Sequence, residues 1–195
     1  MKTFLTYLRS LSLVLTCAIG LAACGGYTGL TLGGSVSGLT NSGLVLANGG
    51  NTVSVPANAT SYAFPNQVDV GSSFHVTIQS QPQHMTCLVT DITGTVGTTA
   101  TSNINVACGQ NSYTVGGKIS GLTADGLVLI NGTDALTIAA NATAFTMPSK
   151  VPDGSVYGIT VLTQPTGLTC SVTNGTAYMG AAAVTNVQVT CVPVP

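Results

Sequence analysis

Thiols, imidazoles and carboxylates are the groups in this sequence that could do chemistry, and they are few. Cysteines stand at Cys17, Cys24, Cys87, Cys108, Cys170 and Cys191, and the only imidazoles are His75 and His84. The carboxylates are Asp69, Asp91, Asp125, Asp134 and Asp153, with no glutamate. A general base would have to be one of the two histidines, yet no serine in a nucleophile-elbow motif accompanies them. They read as solvent-facing strand or loop residues. Glycoside hydrolysis needs two acids across a cleft, whereas Asp125-Gly126 and Pro152-Asp153-Gly154 are turn sequences. No aspartate-rich calcium loop occurs. The pairs Gly33-Gly34 and Gly116-Gly117 lack the strand-to-helix setting of a phosphate loop and read as bulges in a strand. Catalytic residues, a metal and cofactors are therefore not expected.

Cys24 raises a different chemistry. Lys2 and Arg9 precede the apolar run "LSLVLTCAIGLAA", the layout of an export signal. The run is about 13 residues, against the roughly 20 that a membrane-crossing helix needs. Leu21-Ala22-Ala23-Cys24 resembles the lipobox of bacterial lipoproteins. That resemblance implies acylation of the Cys24 thiol, cleavage before it, and a membrane partner reached through the lipid. The competing reading is ordinary signal cleavage, which would leave Cys24 a spare thiol. Gly25, unlike an aspartate at that position, implies the outer membrane where the host has one. Without residues 1–23 the chain keeps Lys118 and Lys150 against five aspartates, a net charge of −3, and no arginine. Nucleic-acid binding, which rests on neutralising phosphates, is excluded.

The remaining cysteines follow from a duplication. "LGGSVSGLTNSGLVLANG" from residue 32 returns as "VGGKISGLTADGLVLING" from residue 115, and "VTIQSQPQHMTC" returns as "ITVLTQPTGLTC". Gly116, Pro165, Cys170 and Cys191 each lie 83 positions after Gly33, Pro82, Cys87 and Cys108. The expected organisation is a signal (1–23), a lipidated tether (24–29), a first repeat (30–108), a linker (109–112), a second repeat (113–191) and a tail (192–195). Four cysteines allow three pairings. Only Cys87–Cys108 with Cys170–Cys191 respects the duplication. A zinc site is the alternative, but no C-x2-C pair exists and both histidines fall in the first repeat.

Within each repeat the hydrophobic period is two. Val53/Val55, Tyr62/Phe64 and Phe74/Val76/Ile78 alternate, as do Leu136/Ile138, Phe145/Met147 and Tyr157/Ile159/Val161. Such alternation puts one face of each strand in a core. Asn48-Gly49, Asn131-Gly132 and Asn174-Gly175 supply tight-turn chemistry between them. Seven or eight short strands in about 80 residues predict an all-β chain of two tandem antiparallel β-sandwiches of immunoglobulin-like type. Tyr62, Phe64, Phe74, Phe145 and Tyr157 are expected in the cores, while Tyr27, Tyr113 and Tyr178 are candidates for surface contact. Four Asn-x-Thr sequons, at Asn58, Asn131, Asn141 and Asn174, read as products of composition.

The repeated pattern G-G-x-[VI]-S-G-L, G-L-V-L-x-N-G, Q-P-x-x-x-T-C-x-V-T and N-[VI]-x-V-x-C resembles immunoglobulin-like β-sandwich repeats of bacterial surface lipoproteins and secreted repeat proteins. The resemblance implies modules without an activity of their own. The expectation is a non-enzymatic, lipid-anchored envelope protein with a structural, spacer or protein-contact role. The alternative is a surface adhesin or carbohydrate-binding module, with an envelope protein or glycan as partner.

Overall fold

The structure is a computed structural model and describes residues 29–195. Residues 1–23, which read as an export signal and include Leu21, Ala22 and Ala23, lie outside the described residues, as do Cys24 and Tyr27. The chain is all-β. In the first copy β1 (Gly33–Ser37), β2 (Leu44–Asn48), β3 (Asn51–Val55), β4 (Ser61–Ala63), β5 (Ser73–Ser80), β6 (Met85–Val89), β7 (Thr93–Thr95) and β8 (Val106–Gln110) follow in order. The short β9 (Ser112–Tyr113) leads into β10 (Val115–Ser120), β11 (Leu127–Asn131), β12 (Asp134–Ile138) and β13 (Ala144–Thr146). Then come β14 (Val151–Pro152), β15 (Val156–Thr163), β16 (Leu168–Thr173), β17 (Thr176–Tyr178) and β18 (Val184–Pro193).

Each copy builds two four-stranded sheets in immunoglobulin-like sandwich form. The first has β4-β1-β8-β6 and β3-β2-β5-β7, and the second has β13-β10-β18-β16 and β12-β11-β15-β17. The alternation read from sequence explains the layering, because alternate residues of each strand point into the sandwich. Leu44, Leu46, Val76 and Val106 are buried in one core, and Leu127, Leu129, Ile159 and Val189 in the other. The five aromatic residues expected inside are all buried there.

One pairing in each copy is parallel: β1 with β8 and β10 with β18, while every other ladder is antiparallel. Parallel neighbours need a long crossover. The intervening strands of the sandwich provide it, since β1 opens the repeat and β8 closes it. The parallel side also explains the second glycine of each pair, while the first faces a carbonyl of the antiparallel neighbour, Tyr62 or Phe145. A Cβ on Gly34 would lie 1.9 Å from the Ile104 carbonyl oxygen, and one on Gly117 1.8 Å from that of Val187. Glycine is what lets the strands approach. The expected irregularity lies on the parallel side of both copies: the register shifts between Val115, which meets Val184, and Gly117, which meets Val187, and likewise between Leu32, which bridges Thr101, and Val36, which meets Val106. On the antiparallel side Gly33 and Gly34 pair regularly with Ala63 and Tyr62, as Gly116 and Gly117 do with Thr146 and Phe145.

The Asn-Gly turns work in a shifted way. Asn48 pairs with Asn51 across the hairpin, and Gly49 carries the positive φ of 59°. The Asn48 side chain reaches the next strand instead, where its Oδ1 accepts the His75 N–H at 2.9 Å. Asn131 does the same for Gly158 at 2.8 Å. Asn58, Asn141 and Asn174 have φ between 56° and 63°, a left-handed conformation that asparagine tolerates better than most residues. The sequon asparagines thus have structural work of their own.

Candidate functional site

Cys87 and Cys108 sit directly opposite each other on β6 and β8, with sulfurs 1.99 Å apart. Cys170 and Cys191 repeat this on β16 and β18 at 2.01 Å. Among the described residues no group of three His, Cys, Asp or Glu side chains could hold a metal ion. No helix among them is long and apolar enough to cross a membrane.

Each disulfide is gripped by a glutamine that sequence reasoning passed over. Gln81 Oε1 accepts the Cys87 N–H at 2.8 Å, and its Nε2 donates to the Cys87 carbonyl at 3.1 Å. Gln164 makes the same pair with Cys170, at 2.7 and 3.0 Å. β6 and β16 are edge strands, so the side-chain amide stands in for a missing neighbouring strand. Edge backbone left open is a template for unwanted pairing. The signal was present in the repeated Q-P dipeptide.

The histidines part company. His75 projects outward from β5 and is exposed. His84 occupies a left-handed turn with φ 60°, and its Nδ1 lies 3.0 Å from Asp153 Oδ1 in the second copy. His84 is the exposed turn residue expected and Asp153 stands in the expected turn; what the sequence does not announce is the contact between them. The imidazole is 47% exposed, but the carboxylate is 6% exposed. Asp153 is the buried charged side chain among the described residues. The contact was invisible in sequence because it exists only when the end of one copy meets the start of the next.

Around that pair the copies are joined by hydrogen bonds. Gln110 Nε2 donates to the Asp153 carbonyl, and the Asp153 N–H donates to the Asn111 carbonyl, both at 2.9 Å. Asn111 is held in turn by the first copy, through its N–H to the His84 carbonyl at 3.0 Å and its Oδ1 from Thr86 Oγ1 at 2.8 Å. Gly109 and Gln110 belong to β8, and Ser112 opens β9, which pairs with β14. Residues 109–112 are therefore tied to both copies. Gly154 has φ 83°, which favours glycine, and a Cβ there would lie 3.2 Å from the His84 ring, which would have to give slightly.

Two equivalent hollows lie over the paired glycines. One, of about 360 Å³, is floored by Gly33 and Gly34 between Ser61, Tyr62 and Thr101. The other, of about 280 Å³, is floored by Gly116 and Gly117 between Phe145 and Val184. Both follow from small residues at the crowded strand pair. Tyr62 turns its hydroxyl inward to the Ile104 carbonyl at 3.0 Å, and burial pushes its phenol up to about 12. Neither hollow is lined by a histidine, cysteine, aspartate or glutamate.

No protein-family model matches the chain, and no curated protein does. Among solved structures, the Bacillus anthracis TIE protein resembles it with a TM-score of 0.50 at 12% identity. The match covers 84% of this chain and 34% of that one, so the chain spans about a third of that structure. The major pilin T-13 of Streptococcus pyogenes follows at TM-score 0.36 and 13% identity, covering 85% of this chain and 97% of the pilin. The shaft pilin SpaA of Lactobacillus rhamnosus GG, as its D295N mutant, gives 0.34 and 8%, over 85% and 99%. At these identities the likeness is one of fold.

Proposed function

We propose that this chain is a non-enzymatic cell-envelope lipoprotein, lipidated on Cys24, whose two β-sandwich repeats (30–108 and 113–191) serve as a spacer or protein-contact element. The junction carries this reading. A carboxylate buried beside His84, with backbone and Gln110 hydrogen bonds around it, sets one repeat on the next in a fixed pose. Freely swinging beads would need no such contacts. A disulfide in each repeat further suits a chain exposed outside the reducing cytoplasm. Residues 24–29 form the tether, and Gly25 favours the outer membrane in a Gram-negative host.

Metabolic labelling with a fatty-acid probe tests the proposal. The wild-type chain should incorporate label and Cys24→Ser should not. Equal label in the mutant, or none in the wild type, would overturn the lipoprotein reading.

A further inference from the structure

The duplication gives every surface position of one repeat a counterpart in the other, and the outer face of one sheet breaks the likeness. On the sheet β3-β2-β5-β7 the outward positions of the first repeat include Ser73, Gln79 and Thr95. Their counterparts on β12-β11-β15-β17, 83 residues later, are Val156, Leu162 and Tyr178. Ala47 likewise becomes Ile130. The backbone is the same in both, so the fold does not ask for the larger apolar groups. Val156 is 56% exposed, Leu162 55% and Tyr178 76%. Val156 and Tyr178 are cross-strand partners, and Ile130 faces Thr160 at the middle of the sheet. Apolar side chains set beside one another on a solvent-facing sheet mark an interaction surface, where scattered single ones would not.

We infer that this face binds the same face of a second copy of the chain, in a reversible two-fold dimer. Two observations select that occupant. Apart from Asp134, whose carboxylate is turned to the Ser149 N–H at 3.0 Å, β11, β12, β15 and β17 carry no charged residue. Two copies can therefore meet without like-charge repulsion, and a strongly charged partner would find nothing to pair with. The area also fits. Strands of these lengths, at about 4.8 Å spacing and 3.4 Å per residue, present a face of roughly 340 Å², so two copies would bury roughly 700 Å² in total. That is the size of a weak, reversible contact. A two-fold arrangement sets each Tyr178 and Leu162 against the partner face and closes the assembly at two.

Sedimentation velocity on the chain from Gly25 onward, between about 1 and 500 μM, reads the association. The wild type should shift from monomer to dimer across that range. The variant V156S/L162Q/Y178T, which carries the first repeat's own residues at strand positions known to accept them, should associate at least about ten-fold more weakly. Thr160→Cys, at the centre of the face, should link two chains under mild oxidation and needs no change to the apolar residues. A wild type that stays monomeric at the highest concentration overturns the inference, even where another envelope protein is found on the face. So does a triple variant that dimerises as well as the wild type, or a Thr160→Cys chain that forms no linked dimer.

Discussion

His84 Nδ1 of the first repeat lies 3.0 Å from Asp153 Oδ1 of the second, 69 residues further along the chain. Their counterparts are Gly167 and Val70, so the pair has no equivalent within either repeat. It is a feature of the junction. A double-mutant cycle with His84→Gly and Asp153→Val should give a coupling of about 0.5–1 kcal/mol, since the imidazole is half exposed. Glycine suits the left-handed turn, which keeps the comparison to the pair itself. Denaturant unfolding of the four chains checks it, and zero coupling would remove the pair from the junction's stability.

Tyr62 predicts an alkaline weakness confined to the first repeat. Its phenol is raised to about 12 by burial, so the folded state holds its proton where the unfolded state, near 10, has lost it. The stabilisation is fully present below pH 10 and is lost as pH rises through 12, roughly 2–3 kcal/mol at most. Phe145 occupies the matching position of the second repeat and has no proton to lose. Tyr62→Phe should abolish this part of the alkaline loss and remove the highest step from a spectrophotometric tyrosine titration. An unchanged titration would show that another tyrosine is responsible.

Gln81→Ala and Gln164→Ala should each destabilise their repeat by about 1–3 kcal/mol, because both hydrogen-bonding groups of an edge cysteine lose their partner. The freed edge should also aggregate more readily on warming. Thermal unfolding with light scattering separates the two effects. Glutamate at either position would restore only the accepting half of the grip.

The two disulfides should open in order. Cys108 is partly exposed, whereas Cys170 and Cys191 are each 4% exposed. A reductant must reach a sulfur to attack it. Alkylation after brief, limited reduction should mark Cys87 and Cys108 before Cys170 and Cys191, as read by peptide mass mapping. Simultaneous marking would mean that both open only on unfolding.

The all-β sandwich was legible because its signal is local. Alternating side chains such as Tyr157, Ile159 and Val161 fix which face of β15 is buried, and the duplication checks the reading a second time. The parallel β1–β8 neighbours were not legible, because which distant strands become adjacent is decided by the packing of whole sheets. Gln81 was visible as a repeated residue, yet its grip depends on a turn that brings it back to Cys87. His84 and Asp153 failed for the opposite reason. Each looks ordinary in its own repeat, and neither has a counterpart to draw attention to it. The outward Val156, Leu162 and Tyr178 alternate with core residues on their strands, so only comparison with Ser73, Gln79 and Thr95 gives them meaning.

The parallel pairing of first and last strands matters most when the ends of a repeat are pulled apart. Tension then enters β1 at one end and leaves β8 at the other, so the two strands are drawn past each other along their length. Their hydrogen bonds bear the load together instead of parting one by one. Should they yield, the 21-residue separation between Cys87 and Cys108 stays closed by the disulfide, which withholds about 70 Å of possible extension. A stretched repeat would therefore resist as a sheared patch and, once broken, lengthen by a shortened step.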